Sequence, residues 1–242
     1  MKFTSPRFLT RAVLASLSIA VSVSAWAADP VTDAMQQAYG SYRAVLFRTN
    51  SGSVAESQQA MGQTQTAWAQ IVAQFGAKPA APYDRDAKFS ASLSEVTAVY
   101  AKAADEINKG QLAAAHETLE RARDVLAELR QRNSVVVFSD HMNAYHAQME
   151  HVLIDGVKLI DQPKGLLMLT AQAGALEYLS TQMGIQAPAS LTSNPEFMAS
   201  LKAVQQSVAD LKTALLAQDA SAVKAAIGKI KGPYSKMFLK FG

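Results

Sequence analysis

Phe89-Ser-Ala-Ser-Leu93 recurs 108 residues further along the chain as Phe197-Met-Ala-Ser-Leu201. A second match, Thr32-Asp-Ala-Met35 with Ser139-Asp-His-Met142, has an offset of 107. One residue gained or lost between the first two helices of a unit reconciles the two offsets. Self-similarity at a fixed period is typical of repeated structural units. We therefore expect an internal duplication, with the repeats at residues 28–134 and 135–242.

Each repeat is expected to be helical throughout. The chain after residue 27 is rich in Ala, Leu, Gln, Lys and Glu, which lose little side-chain freedom in a helix, and Pro and Gly fall mainly between periodic segments. The pattern predicts eight helices, at about 31–48, 53–75, 85–108, 111–132, 140–160, 164–183, 195–217 and 220–240. The short connections favour antiparallel neighbours. The predicted fold is all-α, with two tandem up-and-down four-helix bundles.

The junction between the repeats is apolar. Val135, Val136, Val137 and Phe138 are β-branched or aromatic, so we expect them to be buried and to hold one repeat against the other. The residues that follow, Ser139-Asp140, are good helix caps, and one of them is expected to cap the fifth helix.

The N-terminus has the pattern of a secretory signal. Lys2, Arg7 and Arg11 precede an apolar stretch at 12–23, and Ala25-Trp26-Ala27 supplies small residues before a cleavage site at Ala27–Ala28. The alternative is a membrane anchor, but the stretch is shorter than the roughly 20 residues that a span needs. We expect residues 1–27 to be removed and the remainder to be periplasmic and soluble.

Composition excludes several classes of function. The chain has 23 Lys and Arg against 20 Asp and Glu, and the predicted signal carries three of the cations, which leaves 20 against 20. A neutral protein does not attract nucleic acid, so no nucleic-acid partner is expected. The absence of cysteine excludes disulfides, thiolate metal sites, a lipoprotein anchor and covalently attached haem.

The last two helices resemble those of the cytochrome c′ bundles. That family has a Gly-Asp turn, an Ala-rich helix and then roughly Val-Gly-Lys-x-Cys-x-x-Cys-His-x-x-Phe. Here the corresponding residues are Gln218-Asp219, Ala220 to Ala226, Ile227-Gly228-Lys229 and Phe238. In the first repeat, only Gly110-Gln111 and the helix that follows match. The resemblance implies a four-helix bundle in an exported protein.

The residues that attach haem in that family are missing. Lys231 and Tyr234 stand in place of the two cysteines, and Ser235 stands in place of the haem-ligating histidine. The activity of the family therefore does not carry over to this chain.

The strongest candidate for chemistry is the predicted fifth helix. At about 100° per residue, Met142, His146 and Met149 share one stripe, and Glu150 lies one turn after His146. Imidazole and thioether ligands suit copper and can also bind haem iron. His141 on the same helix and His116 on the preceding one are candidate supporting ligands.

A structural interpretation of these residues is also open. Methionines at helical spacing usually fill a core, and the matching stripe in the first repeat, Met35, Tyr39 and Tyr42, has the character of an ordinary core. Histidine in the second repeat nevertheless replaces residues that are not metal ligands in the first, which favours the metal site.

The predicted function is therefore that of an exported binding protein for a transition metal, copper or iron. Two alternatives stay open: a metal-free module that binds a periplasmic or membrane protein, and an electron-transfer protein with non-covalent haem. No motif supports catalysis, and whether the chain is an enzyme is left open.

Overall fold

The computed structural model describes residues 29–242, and all regular structure in this range is helical. The all-α prediction is therefore confirmed. The predicted signal peptide, residues 1–27, lies outside the described residues. Within residues 29–242, no helix is long and apolar enough to cross a membrane.

The first bundle contains four long helices: α1 (Pro30–Ser51), α2 (Val54–Phe75), α3 (Phe89–Asn108) and α4 (Leu112–Arg132). Helix α1 packs on α2, α2 on α3, α3 on α4, and α4 back on α1, which closes an up-and-down bundle. The start of α1 follows from its sequence, because the Asp29 carboxylate accepts the N–H of Thr32 at 2.9 Å and Pro30 occupies the first turn.

The second bundle repeats this order with two interruptions. Its helices are α5 (Phe138–Ile160), α6 (Gly165–Gln186), the single turn α7 (Ala189–Thr192), α8 (Pro195–Leu216), α9 (Ala220–Ile227) and α10 (Lys231–Phe241). Helix α6 packs between α5 and α8, and α8 also packs against α9 and α10. That the two bundles arose by duplication stays a prediction.

Two predicted boundaries were wrong. The helix expected at 220–240 is broken between Ile227 and Lys231, because Pro233 has no N–H for the carbonyl of Lys229 and its ring would clash with that carbonyl in a continuous helix. The helix expected from residue 85 begins at Phe89. Before it, Tyr83–Arg85 form a 3-10 turn, and Asp86 accepts the N–H of Lys88 at 2.9 Å.

Each bundle has its own core. The first core runs from Val31 to Leu129 and the second from Met142 to Met237, while Phe238 packs against both. The predicted domain boundary at residues 134 and 135 lies between these cores.

The junction differs from its prediction in two respects. Val135 packs on the first core and Phe138 on the second, but Val136 is 71% exposed and was wrongly expected to be buried. The cap of α5 is Val137 rather than Ser139 or Asp140. Asp140 lies inside the first turn, where its carboxylate accepts the N–H of Val137 at 3.1 Å.

Polar contacts also join the bundles. The guanidinium of Arg130 on α4 is buried and donates two hydrogen bonds to Asp140 on α5, one of them at 3.1 Å from Nε to Oδ2. Arg43 on α1 donates to the carbonyl of Phe238 on α10 at 3.2 Å. The two bundles thus meet along α1 and α4 on one side and α5 and α10 on the other.

Candidate functional site

A small cavity lies where the two bundles meet. Helices α1 and α4 of the first bundle and α5 and α10 of the second contribute its walls. Its polar lining residues are Asn50, His116, Glu120, Arg123, His146, Lys231, Tyr234 and Ser235, and the rest of the lining is apolar. The space open to the centres of water molecules is about 50 Å³, which is room for a few waters. We call it the inter-bundle cavity.

His116 on α4 presents one unprotonated ring nitrogen to the cavity. Its Nδ1 lies 3.1 Å from the carbonyl oxygen of Leu46 and 3.0 Å from the hydroxyl of Thr49. Because a carbonyl only accepts, we assign the ring proton to Nδ1. Nε2 then holds a lone pair, which faces the Asn50 amide nitrogen at 3.1 Å, and Glu120 Oε1 lies 3.7 Å away.

The ring of His116 is favoured in its neutral form. Burial lowers the pKa of His116, and the charge of Glu120 and the hydrogen bond to Leu46 offset this only in part. A neutral imidazole with one nitrogen fixed by a backbone carbonyl is the usual arrangement of a metal-binding histidine.

His146 on α5 is held in the opposite tautomer. Nη1 of Arg123 lies 3.1 Å from Nδ1 of His146. A guanidinium only donates, so Nδ1 is the acceptor and the proton lies on Nε2, 3.5 Å from Oε1 of Glu150. The ring also stacks on Tyr234 of α10, with 5.5 Å between centroids.

Glu150 is strongly held in its charged form. Its hydrogen bond with His146 and the charge of Lys231, 3.3 Å away, lower the pKa of Glu150 to about 2, although burial opposes them. The other carboxylate, Glu120, lies 3.5 Å from Nη2 of Arg123. Each acidic side chain at the cavity therefore has a cationic neighbour.

The structure brings together only part of the predicted site. His116 and His146 line the cavity, and Glu150 contacts His146 at its edge. Met142 and Met149 are fully buried in the second core and do not line the cavity, and His141 is not among its lining residues. Among residues 29–242, no group of three or more His, Asp or Glu side chains is arranged to hold a metal ion.

Sequence reasoning missed Arg123, Lys231 and Tyr234. The sequence pointed to Lys231 and Tyr234 only as positions where haem-attaching cysteines are missing, and only the packing of the bundles places all three residues at this cavity. The spacing of His116 with Glu120, however, is the same as that of His146 with Glu150. This repeated His-x-x-x-Glu pattern puts each carboxylate one turn from its histidine and was a usable signal.

Comparisons with known proteins add no functional information. No family model matches the chain, and no curated protein or solved structure matches it. By the sequence resemblance, three positions of this chain are predicted to stand where cytochrome c′ proteins attach haem. Lys231, Tyr234 and Ser235 all line the inter-bundle cavity. These side chains and a space of about 50 Å³ do not fit a haem, since drug-sized ligands already need pockets of roughly 300 Å³ or more.

Proposed function

We propose that this chain is an exported, non-enzymatic binding protein that holds a transition-metal ion in the inter-bundle cavity. His116 and His146 are the central ligands. The observation that carries the proposal is that a small cavity receives a histidine from each bundle. Each histidine has a carboxylate one helical turn away.

The size of the cavity favours an ion. About 50 Å³ accommodates a metal ion with one or two waters, whereas an organic ligand or a haem would require the bundles to separate. The cytochrome c′ resemblance is accordingly proposed as one of scaffold alone, without its cofactor.

The donor atoms narrow the choice of ion. With Met142 and Met149 in the second core, the proposed ligand set moves to the two histidines with Glu120 and Glu150. Imidazole and carboxylate donors suit divalent ions such as Cu²⁺, Zn²⁺ and Fe²⁺, and this set lacks the soft sulfur that favours Cu⁺. His141 has no role in the revised set.

Metal binding requires local rearrangement. Arg123 must release Nδ1 of His146 before that histidine can offer a lone pair, and the carboxylates must exchange their cationic neighbours for the ion. His116 needs a smaller change, because its Nε2 already holds a lone pair and only the neutral amide of Asn50 must move away from it. We therefore propose that His116 is the first ligand to engage.

Calorimetric titration with Cu²⁺ tests the proposal. The protein is expressed as the full chain, purified from the periplasm and stripped of metal. We expect one ion per chain, and His116→Ala and His146→Ala should each weaken binding at least tenfold, because each removes one of two imidazole ligands. His151→Ala is the matched control, since His151 lies on the same helix as His146 but is exposed.

A second variant separates the proposed ligand set from the methionine stripe. Replacing Met142 and Met149 together by leucine conserves their volume and should leave the affinity unchanged. No uptake by the wild type, or an affinity in both histidine variants equal to that of the wild type, would refute a metal site here and direct the search to a protein partner.

A further inference from the structure

Helix α6 exposes an apolar face. Leu167 is 69%, Tyr178 63% and Ile185 65% exposed. Among its 22 residues only Glu177 is charged, and that side chain pairs with Lys212 of α8. A surface helix of a globular protein is normally polar on the side away from the core, so this face needs an explanation.

The exposed side chains form a regular seam. Spacings of four, three, four, three and four residues connect Leu167, Ala171, Gly174, Tyr178, Thr181 and Ile185. Each residue of the buried face lies two positions after one of these six residues, a rotation of about 200° that places the two faces on opposite sides of the helix. The buried residues are Leu169, Ala173, Leu176 and Met183. Alternation of three and four is the spacing by which one helix packs along another. We call these six residues the α6 seam.

The α6 seam is complementary to itself when two copies run antiparallel. If Gly174 of one copy lies opposite Tyr178 of the other, Leu167 faces Ile185 and Ala171 faces Thr181. In an antiparallel pair the residue numbers rise along one helix as they fall along the other, so facing residues have a constant sum, here 352. Two of the layers then combine a larger side chain with a smaller residue, and the outer layer combines two aliphatic side chains, as good helix packing requires. The space above Gly174 is open, since an added Cβ would meet no atom within 4 Å.

A parallel pairing does not fit the same residues. It would put Tyr178 against Tyr178 and Gly174 against Gly174, which crowds one layer and leaves a gap in the next. The α6 seam also carries no charge that would attract an acidic or basic partner. These features favour a second copy of this chain over a charged macromolecule.

The first bundle offers an internal comparison. At the positions 108 residues earlier, α2 has Gln59, Gln63, Thr66, Gln70 and Ala73, all exposed. The same face is thus mainly polar in the first bundle and mainly apolar in the second. Packing within a bundle does not require an apolar residue there.

We propose that two copies of this chain associate through antiparallel α6 seams. The seam is about 27 Å long, at 1.5 Å per residue. Leu167, Met168, Tyr178 and Ile185 would together bury roughly 400 Å² per copy. A standard interface buries about 800 Å² per partner, twice this area, so we expect a weak and reversible dimer. The proposal is independent of metal binding.

Disulfide cross-linking tests the direction of pairing. The chain has no cysteine, so introduced thiols are the only ones present. The double variant Leu167→Cys with Ile185→Cys should form a covalent dimer on oxidation with diamide. Leu167→Cys alone should stay uncrosslinked, because the two Leu167 positions lie at opposite ends of the interface, about 27 Å apart. Cross-linking by Leu167→Cys alone would overturn the antiparallel arrangement.

Sedimentation of the cysteine-free protein tests the dimer itself. The wild type should pass from monomer to dimer as its concentration rises to about 200 µM, and Tyr178→Glu should stay monomeric because it buries a charge in the interface. Gln70→Glu, at the equivalent position of α2, is the matched control and should dimerise like the wild type. A monomeric wild type at this concentration, including one that binds lipid vesicles through α6, would overturn the proposal. A dimer that survives Tyr178→Glu would also overturn it.

Discussion

Replacing Arg130 by methionine removes one side of a buried ion pair between the two bundles. The Arg130 side chain is only 2% exposed, and it donates two hydrogen bonds to Asp140, whose side chain is 24% exposed. Loss of one partner of a buried pair costs about 3–5 kcal/mol. Because water can reach part of Asp140, we expect a loss of about 2–3 kcal/mol in the free energy of unfolding.

Urea unfolding followed by circular dichroism at pH 7 measures this loss. In the double variant Arg130→Met with Asp140→Leu, no charge is left unpaired, so most of the stability should return. Arg121→Met is the control: its ion pair with Glu95 is nearly half exposed and should contribute less than about 1 kcal/mol. The reasoning fails if Arg130→Met is as stable as the control, or if the double variant is no more stable than Arg130→Met.

Two further predictions concern single side chains. Burial alone would raise the pKa of Asp86, but hydrogen bonds from Asn133, the N–H of Lys88 and Arg132 lower it overall. Asp86→Asn should therefore lower the free energy of unfolding by about 2 kcal/mol at pH 7. This loss of stability should shrink as the pH falls below about 4, because the wild-type Asp86 binds a proton in the unfolded chain before it does in the folded one. Urea unfolding of both proteins at pH 7 and pH 3.5 measures the loss, and an equal loss at the two pH values would contradict the prediction. Arg123→Gln should raise the affinity for Cu²⁺ at least tenfold in calorimetry, because it removes a positive charge 3.1 Å from His146. An unchanged affinity would exclude competition between Arg123 and the ion.

The sequence was sufficient for the helices because their signals are local. Asp29-Pro30 marks the start of α1, and apolar residues at helical spacing define the buried faces. The break at 228–230 was missed although Pro233 signals it, because proline is also tolerated in the first turn of a helix, and the sequence does not show which turn that is. Val136 was misplaced because an apolar residue in a short connection can face water when its neighbours already reach both cores.

The candidate site was predictable only within one helix. Periodicity placed Met142, His146 and Met149 on nearby positions of α5, but the face that contains the methionines packs into the second bundle, while His146 faces the first. On the helix, His146 is rotated by about 40° from Met142, four residues away, and by about 60° from Met149, three residues away, and this rotation separates the core from the cavity. Arg123 and His116 line the same cavity as His146 only because the two bundles pack together, and packing between distant segments leaves no local pattern.

Elemental analysis of the protein as isolated tests whether the inter-bundle cavity holds a metal ion. The wild type and the double variant His116→Ala with His146→Ala are purified from the periplasm in parallel, without chelators or nickel affinity resin. The account predicts one transition-metal ion per wild-type chain and none in the variant, with helicity unchanged in both. Equal metal content in the two proteins, or none in the wild type after loading with Cu²⁺, Zn²⁺ or Fe²⁺, would contradict it.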